Sequence, residues 1–127
     1  MPDDTCNSAL CRWLWPKLLQ KVVDEFVESR NAYRSRKDQQ KAGPSGISSN
    51  VAFSLPHTWG GRNCLLPVDC DVIRQIKEAM GGDDVLSFVD RDYAAQAEIA
   101  YSSLGITDLN FGNVWNVFSA MLDILLP

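Results

Sequence analysis

Five cations crowd the twelve residues from Arg30 to Lys41, RNAYRSRKDQQK, with Asp38 as the one acid among them. Guanidinium and ammonium groups hold phosphate oxygens, while asparagine and tyrosine add hydrogen bonds or base stacking. Arg30, Asn31, Arg34, Arg36, Lys37 and Lys41 therefore form a candidate nucleic-acid contact. The i, i+4 spacing puts Arg30 and Arg34 on one helix face, beside Asn31 and Tyr33. The same cations also suit the solvated C-terminal end of a helix, where the dipole favours positive charge.

Other constellations carry less chemistry. A catalytic triad needs a nucleophile and a base that orients it. His57 is the sole histidine, it sits in a loop between Pro56 and Trp59, and no Gly-x-Ser-x-Gly elbow occurs. Pairing it with Cys64 or Cys70 as a cysteine nucleophile has no better support. Zinc would need four ligands in closely spaced pairs, and the nearest trio, His57, Cys64 and Cys70, has neither the fourth ligand nor the spacing. Cys6, Cys11, Cys64 and Cys70 contain no CxxC pair and are predicted to be free thiols. The acidic pairs Asp69/Asp71, Asp83/Asp84 and Asp90/Asp92 stand where helices are predicted to begin, so they read as caps for free backbone amides rather than as a metal site or an acid-base pair. No glycine pair is followed by Lys-Ser or Lys-Thr, so no phosphate-binding loop is indicated. No catalytic residue, metal ligand or cofactor is assigned.

The elements that must position the arm are helical. The 127 residues, 46% hydrophobic and 22% charged, suit one small folded domain. Charge is uneven: residues 1–41 hold 8 basic and 6 acidic side chains, and residues 42–127 hold 4 basic and 10 acidic. The net charge of -4 argues against a dedicated DNA-coating protein but leaves room for a local basic patch. Neither a leader nor a span of about 18 to 20 apolar residues is evident. The expected location is intracellular, nuclear or cytoplasmic, with no membrane partner.

Trp15, Leu19, Val22 and Phe26 step by four, three and four, and Tyr33 continues the stripe after one gap filled by Ser29 or Arg30, which predicts a long amphipathic helix between Ala9 and Lys37. Met1–Ser8 are expected to fray, with Asn7 or Ser8 as a cap. Pro16 is read as the first turn of a helix beginning near Trp15, in preference to a kink in a longer one. Trp13, Leu14 and Leu18 make this start greasier than a half-exposed helix needs, so a cover is expected. Gly43, Pro44 and Gly46 end the segment, and the shift there marks a soft boundary between residues 1–42 and 43–127. Downstream, Asn50 caps a short turn through Val51, Ala52 and Phe53 that Pro56 terminates, and Cys64–Leu66 form at most one short extended piece. A helix follows with Val72, Ile73, Ile76, Ala79 and Met80 on one face, capped by Asp69 and stopped by Gly81-Gly82. Asp83-Asp84 cap a turn, Asp90 opens a helix with Ala94, Ala97 and Ala100 that Gly105 ends, and Asn110 caps a last helix bearing Phe111, Val114, Trp115, Phe118, Met121, Leu122 and Leu125. The expected fold is all-α, a small domain of about four to five helices.

The run DEFVESRNAYRSRKDQQKAGPSGISSNVAFSL resembles the end of an integrase-type catalytic core: a last helix, the Asn-x-x-Arg of Asn31 and Arg34, basic residues, and a turn at Pro44. With WGGRNCLLPVD and DLNFGNVWNVFSAML, it resembles the C-terminal part of fungal integrase-core-like proteins derived from transposable elements, over roughly Trp13 to Leu126. In that retroviral-integrase-type family two aspartates and a glutamate hold divalent metal in an RNase H-like sheet. These are expected upstream of this chain's first helix, where no strand-rich segment precedes Trp13; mid-helix Asp24 and Glu25 do not replace them. The resemblance carries over a nucleic-acid contact at Asn31, Arg34, Arg36, Lys37 and Lys41. It implies a truncated, non-catalytic remnant with weak affinity for DNA or RNA. The alternative is a helical protein-protein interaction module without nucleic-acid binding, whose first helix presents Trp13, Leu14, Trp15 and Leu18 to a second copy or to a larger integrase-like protein.

Overall fold

The computed structural model describes residues 4–126. Among them are five α-helices, α1 (Asp4–Ala32), α2 (Ser49–Ser54), α3 (Cys70–Ala79), α4 (Arg91–Ser103) and α5 (Val114–Leu125), with 3₁₀ turns at Pro56–Trp59 and Gly82–Leu86. The all-α expectation holds: among the described residues no strand forms, and Cys64–Leu66 lie in irregular backbone. The chain divides into two compact units, residues up to Gln20 with those from Asp69 onward, and residues 21–68. The composition shift at 42/43 does not coincide with this division.

The first unit is built on leucines spaced by four. Leu10, Leu14 and Leu18 are fully buried, together with Ala97 and Ala100 of α4, Val114, Val117 and Met121 of α5, and Leu109 between those helices. Small alanines let another helix approach closely, as their spacing predicts. Edge-on ring pairs close the flanks, Trp13 against Tyr101 at 5.7 Å and Trp15 against Trp115 at 5.4 Å between centroids. Lys17 bonds Glu98 at 3.0 Å and lies over the Trp13 and Tyr101 rings.

This arrangement corrects three expectations about α1. The helix does not start near Trp15: it is already formed at Asp4, so Asn7 and Ser8 lie inside it and Pro16 occupies its interior. The expected fraying of Met1–Asp3 lies outside the described residues. Pro16 removes the amide that would reach the Arg12 carbonyl, and burial of Leu14 and Leu18 on either side outweighs that loss. The buried stripe is also not the one that periodicity picked out, since Leu19 and Tyr33 are exposed and Phe26 is 66% exposed. Finally, the cover for the apolar start is supplied by α4 and α5, which bury Leu14 and Leu18 in the chain's own core. Those two are not surface for a partner, and Trp13 and Trp15 are half-buried beside them.

The helix starts of this unit follow local chemistry. Asp69 accepts from the Asp71 amide and Asp90 from the Tyr93 amide, both at 2.8 Å, so both predicted caps are in place. Asp83 and Asp84 do not cap: they pair with Lys77 and Arg91 instead. Gly81 and Gly105 take positive φ just past α3 and α4, the conformation that ends a helix at least cost for glycine. Asn110 heads the turn before α5 by accepting from the Gly112 and Asn113 amides. The apolar face of α3, Val72, Ile73, Ile76 and Met80, remains exposed.

Candidate nucleic-acid interface

The second unit carries the basic arm. α1 ends at Ala32, so Arg34 is not on a helix face with Arg30; it lies in an isolated antiparallel bridge with Ser48. The correction has a local cause. Residues 34–48 double back into a loop whose backbone is held by serines and an aspartate, residue types that compete with helix by bonding nearby amides. Ser35 Oγ donates to the Ile47 carbonyl at 3.3 Å and accepts from the Gly46 amide at 3.2 Å. Ser45 Oγ accepts from the Asp38 amide and donates to the Asp38 carbonyl, both at 2.9 Å. Gly46 is buried with φ of 75°, and a Cβ there would come within 3.2 Å of Lys37 Cβ, so the close return of the chain needs a glycine.

Arg34 and Arg30 do different work in this geometry. Arg34 Nε donates to the Gly46 carbonyl at 2.6 Å, which ties the two sides of the loop together. Arg30 is exposed, its guanidinium 6.0 Å from the centroid of the Tyr33 ring, a cation-π contact. Arg36, Lys37 and Lys41 are exposed along the loop, and Asn31 is half-exposed at the end of α1. Among the described residues none of these cations is paired with a carboxylate. Lys17, Lys21, Arg74, Lys77 and Arg91 elsewhere in the chain all are. Asp38, the acid within the arm, accepts from the Gln40 amide at 2.9 Å.

Three recesses surround the short helix α2. One of about 200 Å³ is lined by Arg30, Tyr33 and Lys41 together with Ser35, Ser48 and Ser49. The next, of about 390 Å³, is lined by Asn31, Ser49, Asn50 and Phe53. A third, of about 540 Å³, includes Ala52, Phe53, His57, Arg62 and Cys64 in its lining. Ser49 lines the first two and Phe53 the last two. The cap of α2 is Ser48, whose Oγ accepts from the Val51 amide at 3.2 Å, rather than Asn50, because α2 starts one residue before Asn50. That frees Asn50 to face the second recess. Sequence reasoning missed Ser48, Ser49, Asn50 and Phe53 as residues that share recesses with the arm. The signal available was Phe53 itself, a large aromatic in a segment too short to bury it.

The remaining groups with chemical potential are dispersed. All four cysteines are free thiols, Cys6 and Cys11 half-buried, Cys64 and Cys70 exposed. Among the described residues no group of three or more His, Cys, Asp or Glu gathers to hold a metal ion. Burial pushes the Tyr93 phenol above its ordinary value, helped by the adjacent thiols of Cys6 and Cys11. The Lys77 ammonium beside Asp83 lowers that carboxyl. Both belong to the packing of the first unit. No helix among the described residues is long and apolar enough to cross a membrane. No family model, curated protein or solved structure matches the chain.

Proposed function

We propose that the chain is a catalytically incomplete remnant of an integrase-like protein that holds nucleic acid weakly through the Arg30–Lys41 arm. One observation carries the binding part: the cations of the arm have no carboxylate partners, while five of those elsewhere do. Unpaired, exposed cations keep their full attraction for phosphate, and counterions released from phosphate drive association. The integrase-like part rests on a resemblance in the Asn31–Arg34 segment, the turn at Pro44 and the stretches WGGRNCLLPVD and DLNFGNVWNVFSAML downstream. The reading assigns the chain no catalytic step, because the stretches that carry the resemblance hold no counterpart of the two aspartates and glutamate.

Fluorescence anisotropy with a labelled oligonucleotide tests it. If four arm cations meet phosphates, log K should fall against log salt with a slope of about -3, each charge removed lowering it by about 0.7 to 0.9. Arg34→Glu would also untie the loop, so the decisive variant is Arg36→Glu with Lys41→Glu, both exposed. Binding unchanged by that reversal would sink the proposal. Metal-dependent DNA cleavage by the pure chain, lost on changing one of its carboxylates, would overturn the non-catalytic part.

A second reading, a helical interaction module, is supported by the uncovered face of α3 rather than by Trp13–Leu18. Val72, Ile73, Ile76 and Met80 form an apolar stripe with Asp69 and Asp71 at its start and Lys77 near its end. A second copy laid against this stripe would cover it. Sedimentation should then show a dimer that Ile73→Asp converts to monomer. A parent chain that stays monomeric at about 100 μM would refute it.

A further inference from the structure

The surface around α2 does more than concentrate positive charge. We infer that it is a track for a single-stranded segment of nucleic acid, with flat bases seated on Tyr33 and Phe53 and phosphates held by Arg30, Lys41 and Arg62. The inference rests on the nucleic-acid reading of the arm and names the form of polymer that this site takes.

Two aromatic rings set the argument. Tyr33 is 59% exposed and Phe53 76% exposed. Other rings of the chain, Phe26, Phe88, Phe111 and Trp115, are about as exposed, and Tyr33 and Phe53 stand apart because they line the recesses that the arm residues Arg30, Asn31 and Lys41 also line. The Arg30 guanidinium lies 6.0 Å from the centroid of the Tyr33 ring, so a base stacked at this ring would meet a cation beside it. In a duplex the bases are already stacked on each other and a protein ring has nothing to receive; in a single strand every base has a free face. The recesses, which share Ser49 and Phe53, bring cations, rings and amides together around α2: Arg30 and Lys41 with Tyr33, Asn31 and Asn50 beside Phe53, and Arg62 on the recess that Phe53 also lines. Asn31 and Asn50 offer donors and acceptors to base edges, and among the described residues neither side chain has an internal partner. Charge favours the same choice. The chain is net -4, and a duplex presents twice the phosphate density of a single strand along its axis.

The test uses the full chain with three labelled probes of about 12 nucleotides: oligothymidine, oligouridine and a mixed duplex, at matched salt. The expected result is tighter binding of at least one single-stranded probe than of the duplex, by tenfold or more. The preferred sugar then tells DNA from RNA. Tyr33→Ala and Phe53→Ala should each weaken single-strand binding by about fivefold to a hundredfold while leaving duplex binding unchanged. Tyr33→Phe, which keeps the ring, should restore it. Arg62→Ala should lower the salt slope by about 0.7. Circular dichroism on each variant checks that the helices persist. If the duplex binds as tightly as both single strands, or if the alanine variants bind like the parent, the track is refuted. In that event charge reversal at Arg36 and Lys41 still decides whether the arm binds nucleic acid. Failure of all three probes to bind at low salt overturns both.

Discussion

Replacing Leu14 by alanine should cost the protein about 3 kcal/mol, while the same change at Phe26, three turns along the same helix, should cost almost nothing. Leu14 is fully buried, with Leu10 and Leu18 one turn to either side. Truncation removes roughly three carbons from the core, worth about 0.8 kcal/mol each, and leaves a cavity that adds to the loss; measured Leu→Ala changes span about 2–5 kcal/mol. Phe26 is 66% exposed, and surface truncations fall within about 0.5 kcal/mol. Urea unfolding followed by circular dichroism reads the difference. With a slope near 2 kcal/mol per molar, Leu14→Ala should lower the midpoint by about 1.5 M and Phe26→Ala by less than about 0.3 M. The two candidate stripes of α1 make opposite demands here. If Phe26→Ala lowers the midpoint as much as Leu14→Ala does, the core assigned to Leu10, Leu14 and Leu18 is wrong.

Three further outcomes follow from single residues. Pro16→Ala restores an amide within α1 and should raise stability by about 2 kcal/mol, the helical penalty of proline of about 3 less about 1 for the freer unfolded chain; a lower urea midpoint would refute the reading of Pro16 as a tolerated defect. Gly81 has φ of 111° and a Cβ there would come 2.7 Å from Val85 Cγ2, so Gly81→Ala should cost more than about 1 kcal/mol by thermal or urea unfolding, whereas Gly43→Ala, with open space around it, should be neutral. Tyr93 holds its proton more tightly in the folded chain than in the unfolded one, so its contribution is complete below pH 10 and is lost as pH rises toward the higher folded value. Stability measured against pH should therefore fall above pH 10 in the parent and less steeply in Tyr93→Phe; an identical decline in both would remove Tyr93 as the cause.

The sequence by itself determined the helical class and the ends of α3 and α4, because those depend on neighbours a few residues apart. Asp69 and Asp90 cap where a short polar side chain meets a free amide, and Gly81 and Gly105 stop helices where positive φ is needed. The cationic run was equally plain, since charge is a property of composition. Tertiary structure decided which face of α1 was buried. Two apolar stripes exist on that helix, and only the arrival of Ala97, Ala100 and α5 selected Leu10, Leu14 and Leu18 over Leu19 and Phe26. It also carried the helix through Pro16, where burial outweighed a lost hydrogen bond. The same holds at the arm: Ser35, Ser45 and Gly46 close a loop between residues seven and eleven apart, and that closure puts Tyr33 and Lys41 beside Ser48 and Ser49. Local periodicity cannot foresee such meetings, because they depend on which distant surfaces compete for the same burial and the same backbone amides.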